Sequence, residues 1–596
     1  MGNTVAQRLS AIREQFQKAG VQALVVPSAD PHMSEYVAAH FLRRGFASGF
    51  DGSAGTLVLT ADAGALWTDF RYYLQGELQL AGSGLELCKV GLPETPAMED
   101  WLAQKLPGGG KVGVNASVFS VKEYADLKEQ LKRRHFDLVA LDADPVDAVW
   151  AERPPFPCEP ARLHPLEVAG ESVESKHLRL QRELREAKAD ALLVAALDEV
   201  AWLTNLRGGD VDFNPVFLGY ALVDRQSVIL YTAQARLRDV LRALPQVLKL
   251  RPYEALASDL AERAKRGEAI WMDPTTANEA VAGGFQKAGG MVLSKGSPIP
   301  KWKAAKNEPE LDGMRRAHLR DGVAMVEFLA RLDELVATGA TERSVAEGLH
   351  QARMKAGGAA YIGPSFGTIV AYGDHGAIVH YTPTEESDRP LAAEGILLLD
   401  SGGQYVDGTT DITRTVTLGR PTAEQIRAYT AVLKGHLRFG SARWKPGLDG
   451  YKLDMVARGE LWRLGYDYGH GTGHGVGAAL CVHEGPFRAH HFFKNLTPLE
   501  EGNVMSNEPG YYQSGGFGVR IENLVIVRKV SAPGEEVFLG FEPLTFCPYD
   551  LRLVDQNLLE KSEIAQIRQY HAKVLEKLLP LLSPEAAAWL VEVTRG

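Results

Sequence analysis

Two periodicities organise this chain. Leu9, Ile12 and Phe16 recur at helical spacing, and the apolar run Ala23-Leu24-Val25-Val26 that follows ends at Pro27, as a buried strand does. Thr56 to Leu59 and Ala65 to Trp67 predict two further strands. Beyond residue 165 the pattern restarts: a helix, then Ala191-Leu192-Leu193-Val194, then Val228-Ile229-Leu230 at a comparable interval. The repetition predicts two similar α/β domains. Between them, residues 145–165 include Pro154, Pro155, Pro157 and Pro160, a stretch that can neither continue a helix nor enter a central strand, and it reads as a linker.

A third region begins near Lys306. Asn307 with Glu310 forms a capping-box start, and Met325, Phe328, Leu329, Leu332 and Leu335 continue at helical spacing. Gly395 to Leu399 is a buried strand that delivers Asp400 at its end. Ile412, Arg414, Val416 and Leu418 alternate with Thr413, Thr415 and Thr417 in a strand that begins at Asp411. The residues between carry turn chemistry, with Asp407 as a turn former, so a hairpin would set Asp400 and Asp411 side by side. Helical patterning around Leu575, Leu578 and Leu579 closes the chain. The expected domains are 1–160, 161–305 and 306–596.

The third region also holds the chemistry. Asp400, Asp411, Glu508 and Glu522, with one imidazole of the His470/His474 pair, offer four acidic side chains and a nitrogen as hard metal ligands. Four carboxylates balance two divalent cations, and paired metals hold a hydroxide at neutral pH and polarise a carbonyl. Singly, each part has a plain reading. Asp400 or Asp411 alone is a turn residue, although three leucines before Asp400 leave a buried charge in need of a partner. His470 and His474 lie among too many glycines for a helix; they are surface histidines of a flexible loop unless those glycines let backbone approach a ligand. Glu522, between Ile521 and Leu524, faces solvent or a metal, and Arg520 projects on the same strand face. His380, His470 and His483 are the candidate acids and bases, with core or surface roles as their alternatives.

Composition narrows the partners. With 65 Lys+Arg against 75 Asp+Glu, the net charge of −10 argues against nucleic acid or an anionic membrane as the main partner. No run approaches a membrane span, and Met1-Gly2 with Thr4 is only a fragment of an acylation pattern, since Ala6 stands where Ser or Thr is needed. Cys88, Cys158, Cys481 and Cys547 lack CxxC spacing and read as reduced thiols of a cytoplasmic protein, with Cys481 a small buried filler. A nucleophile elbow and a phosphate loop are both missing from the sequence, which disfavours covalent catalysis.

At these residues the chain resembles the pita-bread metallopeptidases, above all the cytosolic three-domain Xaa-Pro aminopeptidases. GFDGSAGTLVLT, LWTDFRYYLQ, EVAWLTNLRGGDVDFNPVF, PSFGTIVAYGDHGAIVHY, LLLDSGGQYVDGTTDITRT, GHGTGHGVG, VHEGP and NEPGYY with VRIEN carry the resemblance. It implies an α/β (α+β) fold class: two similar N-terminal α/β domains followed by a C-terminal pita-bread catalytic domain. It implies Asp400 as ligand of one metal, Asp411 and Glu522 as bridging carboxylates, and His474 and Glu508 as ligands of the other metal. His380 and His483 would contact the scissile peptide, His470 would line the substrate site, and Tyr512 and Arg520 would surround the metals. The implied cofactor is a pair of divalent ions, Mn²⁺ first, with Zn²⁺ or Co²⁺ as alternatives. The implied substrate is a peptide with proline at position 2, and the implied assembly a homodimer through the C-terminal domain. Phe70 departs from the common TDGRY pattern and puts a local turn in doubt. A prolidase restricted to Xaa-Pro dipeptides is the nearest rival. A metal-free creatinase-type enzyme or a non-enzymatic binding module would be expected to lack ligands that this chain retains.

Overall fold

The strand signals of the first half close into two six-stranded sheets of one topology. The computed structural model describes residues 4–491 and 494–595, so Met1 and Gly2 lie outside the described residues. In space the first sheet runs Glu86–Lys89, Gly64–Thr68, Thr56–Thr60, Ala23–Pro27, Gly110–Val114, Phe136–Ala140. The second runs Leu248–Arg251, Val228–Thr232, Gly219–Asp224, Ala191–Val194, Ala269–Met272, Met291–Ser294. Numbered along the chain, both read 4-3-2-1-5-6. Pairing senses agree as well, with antiparallel pairs from first to second and second to third strand and parallel pairs elsewhere. The inner strands Ala23–Pro27 and Ala191–Val194 are apolar runs because helices and loops cover both sheet faces.

Both sheets belong to one unit, the chain through Leu166 together with Glu171–Pro298. Buried polar contacts join them. His32 donates from Nδ1 to the Ala195 carbonyl at 2.8 Å and faces the Tyr253 hydroxyl at 3.0 Å, and the Asn278 amide donates to the Pro31 carbonyl at 2.8 Å. The turn placed in doubt by Phe70 forms nonetheless. Asp69 caps it, accepting from the Arg71 backbone at 3.1 Å and from its guanidinium at 2.9 and 2.8 Å.

The second unit comprises Glu167–Gly170 and the chain from Ile299 onward. Its first long helix, Glu308–Leu329, starts with the expected capping box of Asn307 and Glu310. The predicted continuation to Leu335 is interrupted: Ala330 and Arg331 intervene, and a separate helix spans Leu332–Ala337. Helices Glu342–Gly357, Ala423–Gly440 and Gly450–Arg463 follow, and Lys561–Leu578 and Pro584–Val593 close the chain. Among the described residues no helix is long and apolar enough to cross a membrane. The four cysteines form no disulfide; Cys481, expected as buried filler, is only half-buried.

Helices and antiparallel strands share one core, in which Tyr429, Val432, Leu461, Val519 and Ile521 pack with Val574 and Leu578. Strands Ile369–Tyr372, Ile396–Ser401 and Ile412–Thr417 form one antiparallel sheet. The loop predicted between Asp400 and Asp411 contains its own small hairpin, Gly403–Tyr405 with Gly408–Thr409, which pairs with Tyr361–Pro364 instead. Asp407 sits in that turn, as expected, but is buried and accepts from Arg316 and Arg320. A five-stranded sheet adds Gly473–Gly475, Glu484–Ala489, Val504–Asn507, Asn523–Lys529 and Leu539–Pro543.

Candidate metal centre

Asp400 lies within the strand Ile396–Ser401 opposite Thr413, and Asp411 immediately precedes the strand Ile412–Thr417. Asp400 is therefore no turn residue; it is 7% exposed inside a sheet. His474 is the middle residue of the strand Gly473–Gly475. A Cβ on Gly473 would come within 2.0 Å of the Ser506 carbonyl oxygen, and one on Gly475 within 2.3 Å of that of Glu484. The glycines thus admit neighbouring strand backbones rather than a ligand, and those backbones fix His474.

Glu508 follows the strand Val504–Asn507, its backbone N–H donating to the Thr472 carbonyl at 2.8 Å. Glu522 was expected inside one strand with Arg520. The strand Phe517–Arg520 instead ends there, a new one begins at Asn523, and Glu522 occupies the junction. Thr413 holds it twice: the Thr413 carbonyl accepts from the Glu522 backbone N–H at 3.0 Å, and Thr413 Oγ1 donates to Glu522 Oε2 at 2.8 Å.

These strands bring single ligand atoms of Asp411, His474 and Glu522 within 4.8 Å of one another. Nε2 of His474 lies 3.6 Å from Asp411 Oδ2 and 3.4 Å from Glu508 Oε1. Its Nδ1–H donates to the Gly475 carbonyl at 2.9 Å, which leaves Nε2 as the lone-pair nitrogen facing two carboxylates. That arrangement is repulsive without a cation between them, and it is the geometry of a metal-ligating histidine steadied by a backbone carbonyl. Asp400 completes the group through Arg520, whose Nη2 and Nε donate to Asp400 Oδ2 at 2.5 and 3.1 Å.

The carboxylates are short of partners. Asp400 Oδ1, Asp411 Oδ1 and Glu522 Oε1 are buried without a hydrogen bond. Burial, then neighbouring carboxylates, holds Asp411 and Glu522 well above the usual carboxylate range. Burial pushes Glu508 up to about 7, with Arg520 opposing and Asp400 adding to the rise. Orphaned oxygens, an aimed imidazole lone pair and mutually repelling acids fit hard divalent cations, whose charge inverts this pKa pattern.

The remaining predicted residues surround the cluster. The His483 and His474 rings lie 4.4 Å apart, edge to face. Arg520 Nη1 donates to the Tyr512 hydroxyl at 2.6 Å, and Tyr512 donates to His470 Nε2 at 2.8 Å; His470 Nδ1–H then donates to the Gly471 carbonyl at 2.8 Å. Burial, then Arg520, keeps His470 well below the ordinary histidine pKa. His380 is half-buried between Val379, whose carbonyl accepts from Arg520 Nη2 at 3.3 Å, and Tyr381. Two supporting residues escaped sequence reasoning. Ser506 Oγ accepts from the His474 backbone N–H at 2.9 Å and donates to Glu508 at 3.0 Å, and the Thr413 hydroxyl holds Glu522 from within the patterned strand. The usable signal was a run of threonines on a strand buried along its whole length, where each hydroxyl needs a partner.

The model of metallopeptidase family M24 matches residues 312–529, and that of the C-terminal region of peptidase M24 matches 537–596. The creatinase/prolidase N-terminal domain matches twice, at 8–148 and at 152–310. Aminopeptidase P2 of Arabidopsis thaliana is 40% identical over 634 residues, covering 99% of this chain and 88% of that protein. This chain belongs to metallopeptidase family M24. Xaa-Pro aminopeptidase 1 of Dictyostelium discoideum, 38% identical, covers 97% of the M24 chain and 94% of its own length. A solved X-prolyl aminopeptidase from Caenorhabditis elegans, described as a cytosolic enzyme with a di-nuclear active site, matches with a TM-score of 0.93 and 33% identity. The match covers 100% of each chain. The M24 fold and the paired creatinase-type N-terminal domains agree with the implied fold class.

Proposed function

We propose that this chain is an Xaa-Pro aminopeptidase that removes the N-terminal residue of peptides with proline at position 2. The observation that carries the reading is the Asp411–His474–Glu522 cluster, with its under-partnered carboxylates, in a chain alike over its whole length to aminopeptidases of that specificity. Asp400, Asp411, His474, Glu508 and Glu522 would hold two divalent ions, Mn²⁺ first. When bound, such a pair makes water nucleophilic near neutral pH and polarises the substrate carbonyl.

The protein's own groups supply the rest. Glu508 would take a proton from the attacking water and return it to the proline nitrogen, which leaves only when protonated. His380 and His483 would contact the scissile peptide and oppose charge on the developing oxyanion. Arg520 donates to Asp400 and orients Tyr512, which in turn occupies His470 Nε2. His470 therefore lines the site as a neutral ring rather than serving as a proton shuttle. A prolyl nitrogen has no N–H and its ring fixes φ, which makes the ring a usable element of recognition.

The reading includes a cytoplasmic homodimer and three domains at 1–160, 161–305 and 306–596, which light scattering and limited proteolysis test. Arg-Pro-Pro, Gly-Pro and a chelator test the function itself. Release of arginine from Arg-Pro-Pro, loss of turnover on chelation and its return with Mn²⁺ are expected. Cleavage of Gly-Pro alone would make the chain a prolidase.

A further inference from the structure

The loop that carries His380 is held by a carboxylate outside the metal cluster. Glu342 is the first residue of the helix Glu342–Gly357 and is fully buried. Its oxygens accept from three donors of one short segment: the Tyr372 backbone N–H at 2.8 Å, His375 Nδ1 at 2.9 and 3.0 Å, and the Tyr381 hydroxyl at 2.8 Å. Arg389 Nη2 donates to His375 Nε2 at 2.9 Å, so the His375 proton is on Nδ1, directed at Glu342. The Arg389 carbonyl in turn accepts from the Glu342 backbone N–H at 3.1 Å.

All three donors fall between Tyr372 and Tyr381, and His380 lies next to the last of them. On its other side, the Val379 carbonyl accepts from Arg520, the guanidinium that also holds Asp400. The same segment touches the strand of Arg520 backbone to backbone, since a Cβ on Gly376 would come within 2.7 Å of the Gly518 nitrogen. His380 thus stands between two anchors, one shared with the metal cluster and one, Glu342, remote from it.

We infer that Glu342 is a positioning residue for this hydrolase: it sets the His380 imidazole against the scissile peptide by clamping Tyr372, His375 and Tyr381. The inference rests on the aminopeptidase reading, in which His380 meets the substrate. A glutamine at 342 keeps the shape but turns one acceptor into a donor opposed by donors. A catalytic group displaced by about 1 Å loses on the order of a hundredfold in rate. E342Q should therefore lower kcat about 10- to 100-fold, leave KM within about twofold and keep the metal content of the unmutated enzyme.

The deciding measurement is a double-mutant cycle on Arg-Pro-Pro with E342Q, H380N and both. If Glu342 acts through His380, E342Q costs less than about twofold in the H380N background. An equal loss in both backgrounds overturns the inference. Y381F removes one of the three donors with little risk to folding and should move kcat in the same direction by a smaller factor; unchanged turnover in Y381F counts against the clamp. Hydrogen exchange on the metal-free protein supplies a readout independent of activity, with faster exchange expected in residues 372–381 of E342Q and unaltered exchange there contradicting the proposal. If the unmutated enzyme fails to cleave Arg-Pro-Pro, the aminopeptidase reading itself fails, and hydrogen exchange still judges the clamp.

Discussion

Asp321 and Asp411 are both buried carboxylates of the catalytic unit, yet their surroundings oppose each other. Asp321 receives a two-pronged bond from Arg353 at 2.8 and 3.2 Å and a third from Tyr405 at 3.0 Å. Those partners outweigh burial and leave its pKa below the usual value. Asp454 is built alike, with Arg458 at 2.8 and 3.1 Å and Thr472 Oγ1 at 2.7 Å. Asp411 has Asp400, Glu508 and Glu522 for neighbours, and for four acids the cluster has one bonded guanidinium, Arg520, spent on Asp400. A carboxylate that folding needs is given its counter-charge by the chain. A carboxylate crowded by other acids has no such counter-charge, and an outside cation would neutralise it.

The largest effects are expected at the cluster. Asp411→Ala should lose metal and more than about a hundredfold in activity, since even supporting residues of metal sites cost 10- to 100-fold. Two ions per chain in that variant, by elemental analysis, would remove Asp411 from the ligand set. Asp321→Asn should destabilise the unit by about 3–5 kcal/mol, because it strands Arg353 in the core. Asp411→Asn should do the opposite in metal-free protein and raise its thermal midpoint by relieving repulsion. Equal destabilisation in the two variants would erase the distinction.

Acidity sharpens it further. In metal-free protein, Asp411, Glu508 and Glu522 have pKa values raised on folding, Glu508 to about 7. The folded state then binds protons that the unfolded chain releases above about pH 4, so stability is present at low pH and lost as pH rises. For Glu508 the slope should approach roughly 1.4 kcal/mol per pH unit near pH 6, with Asp411 and Glu522 acting in the same direction. Asp321 has the reverse sign, its contribution being lost as pH falls below about 3.8. Bound metal should flatten or invert the neutral-pH trend, and denaturant midpoints with and without Mn²⁺ measure it. The smallest effect belongs to Asp407: its partners Arg316 and Arg320 are 49% and 28% exposed, so Arg316→Ala should change stability by less than about 1 kcal/mol.

Much of this was legible in residue order, for reasons of local physics. The two N-terminal sheets were visible as repeated apolar runs because strands covered on both faces have no polar side to mask the pattern. Asn307 announced its helix because a capping box is a contact across three residues. For Glu522 the local pattern misleads. The β-branched run Ile521 to Val527 looks like one strand, and only the partners on either side, Thr413 and Asn507, show where one ends and the next begins. Glu342 gave no signal at all, since a glutamate in the first turn of a helix is ordinary.

Residue order fixes which chemistry is available: four acids and a histidine in clustered motifs, flanked by strand and turn patterns. Local spacing and side-chain type suffice for that, because ligand preference belongs to the residue. Tertiary structure alone decided how those charges are partnered. Whether a buried carboxylate is held by an arginine or crowded by other acids depends on neighbours a hundred positions away, as with Thr413 and Glu522 or Asp400 and Arg520. Electrostatic energy in a low-dielectric interior follows distance in space and is indifferent to distance along the chain.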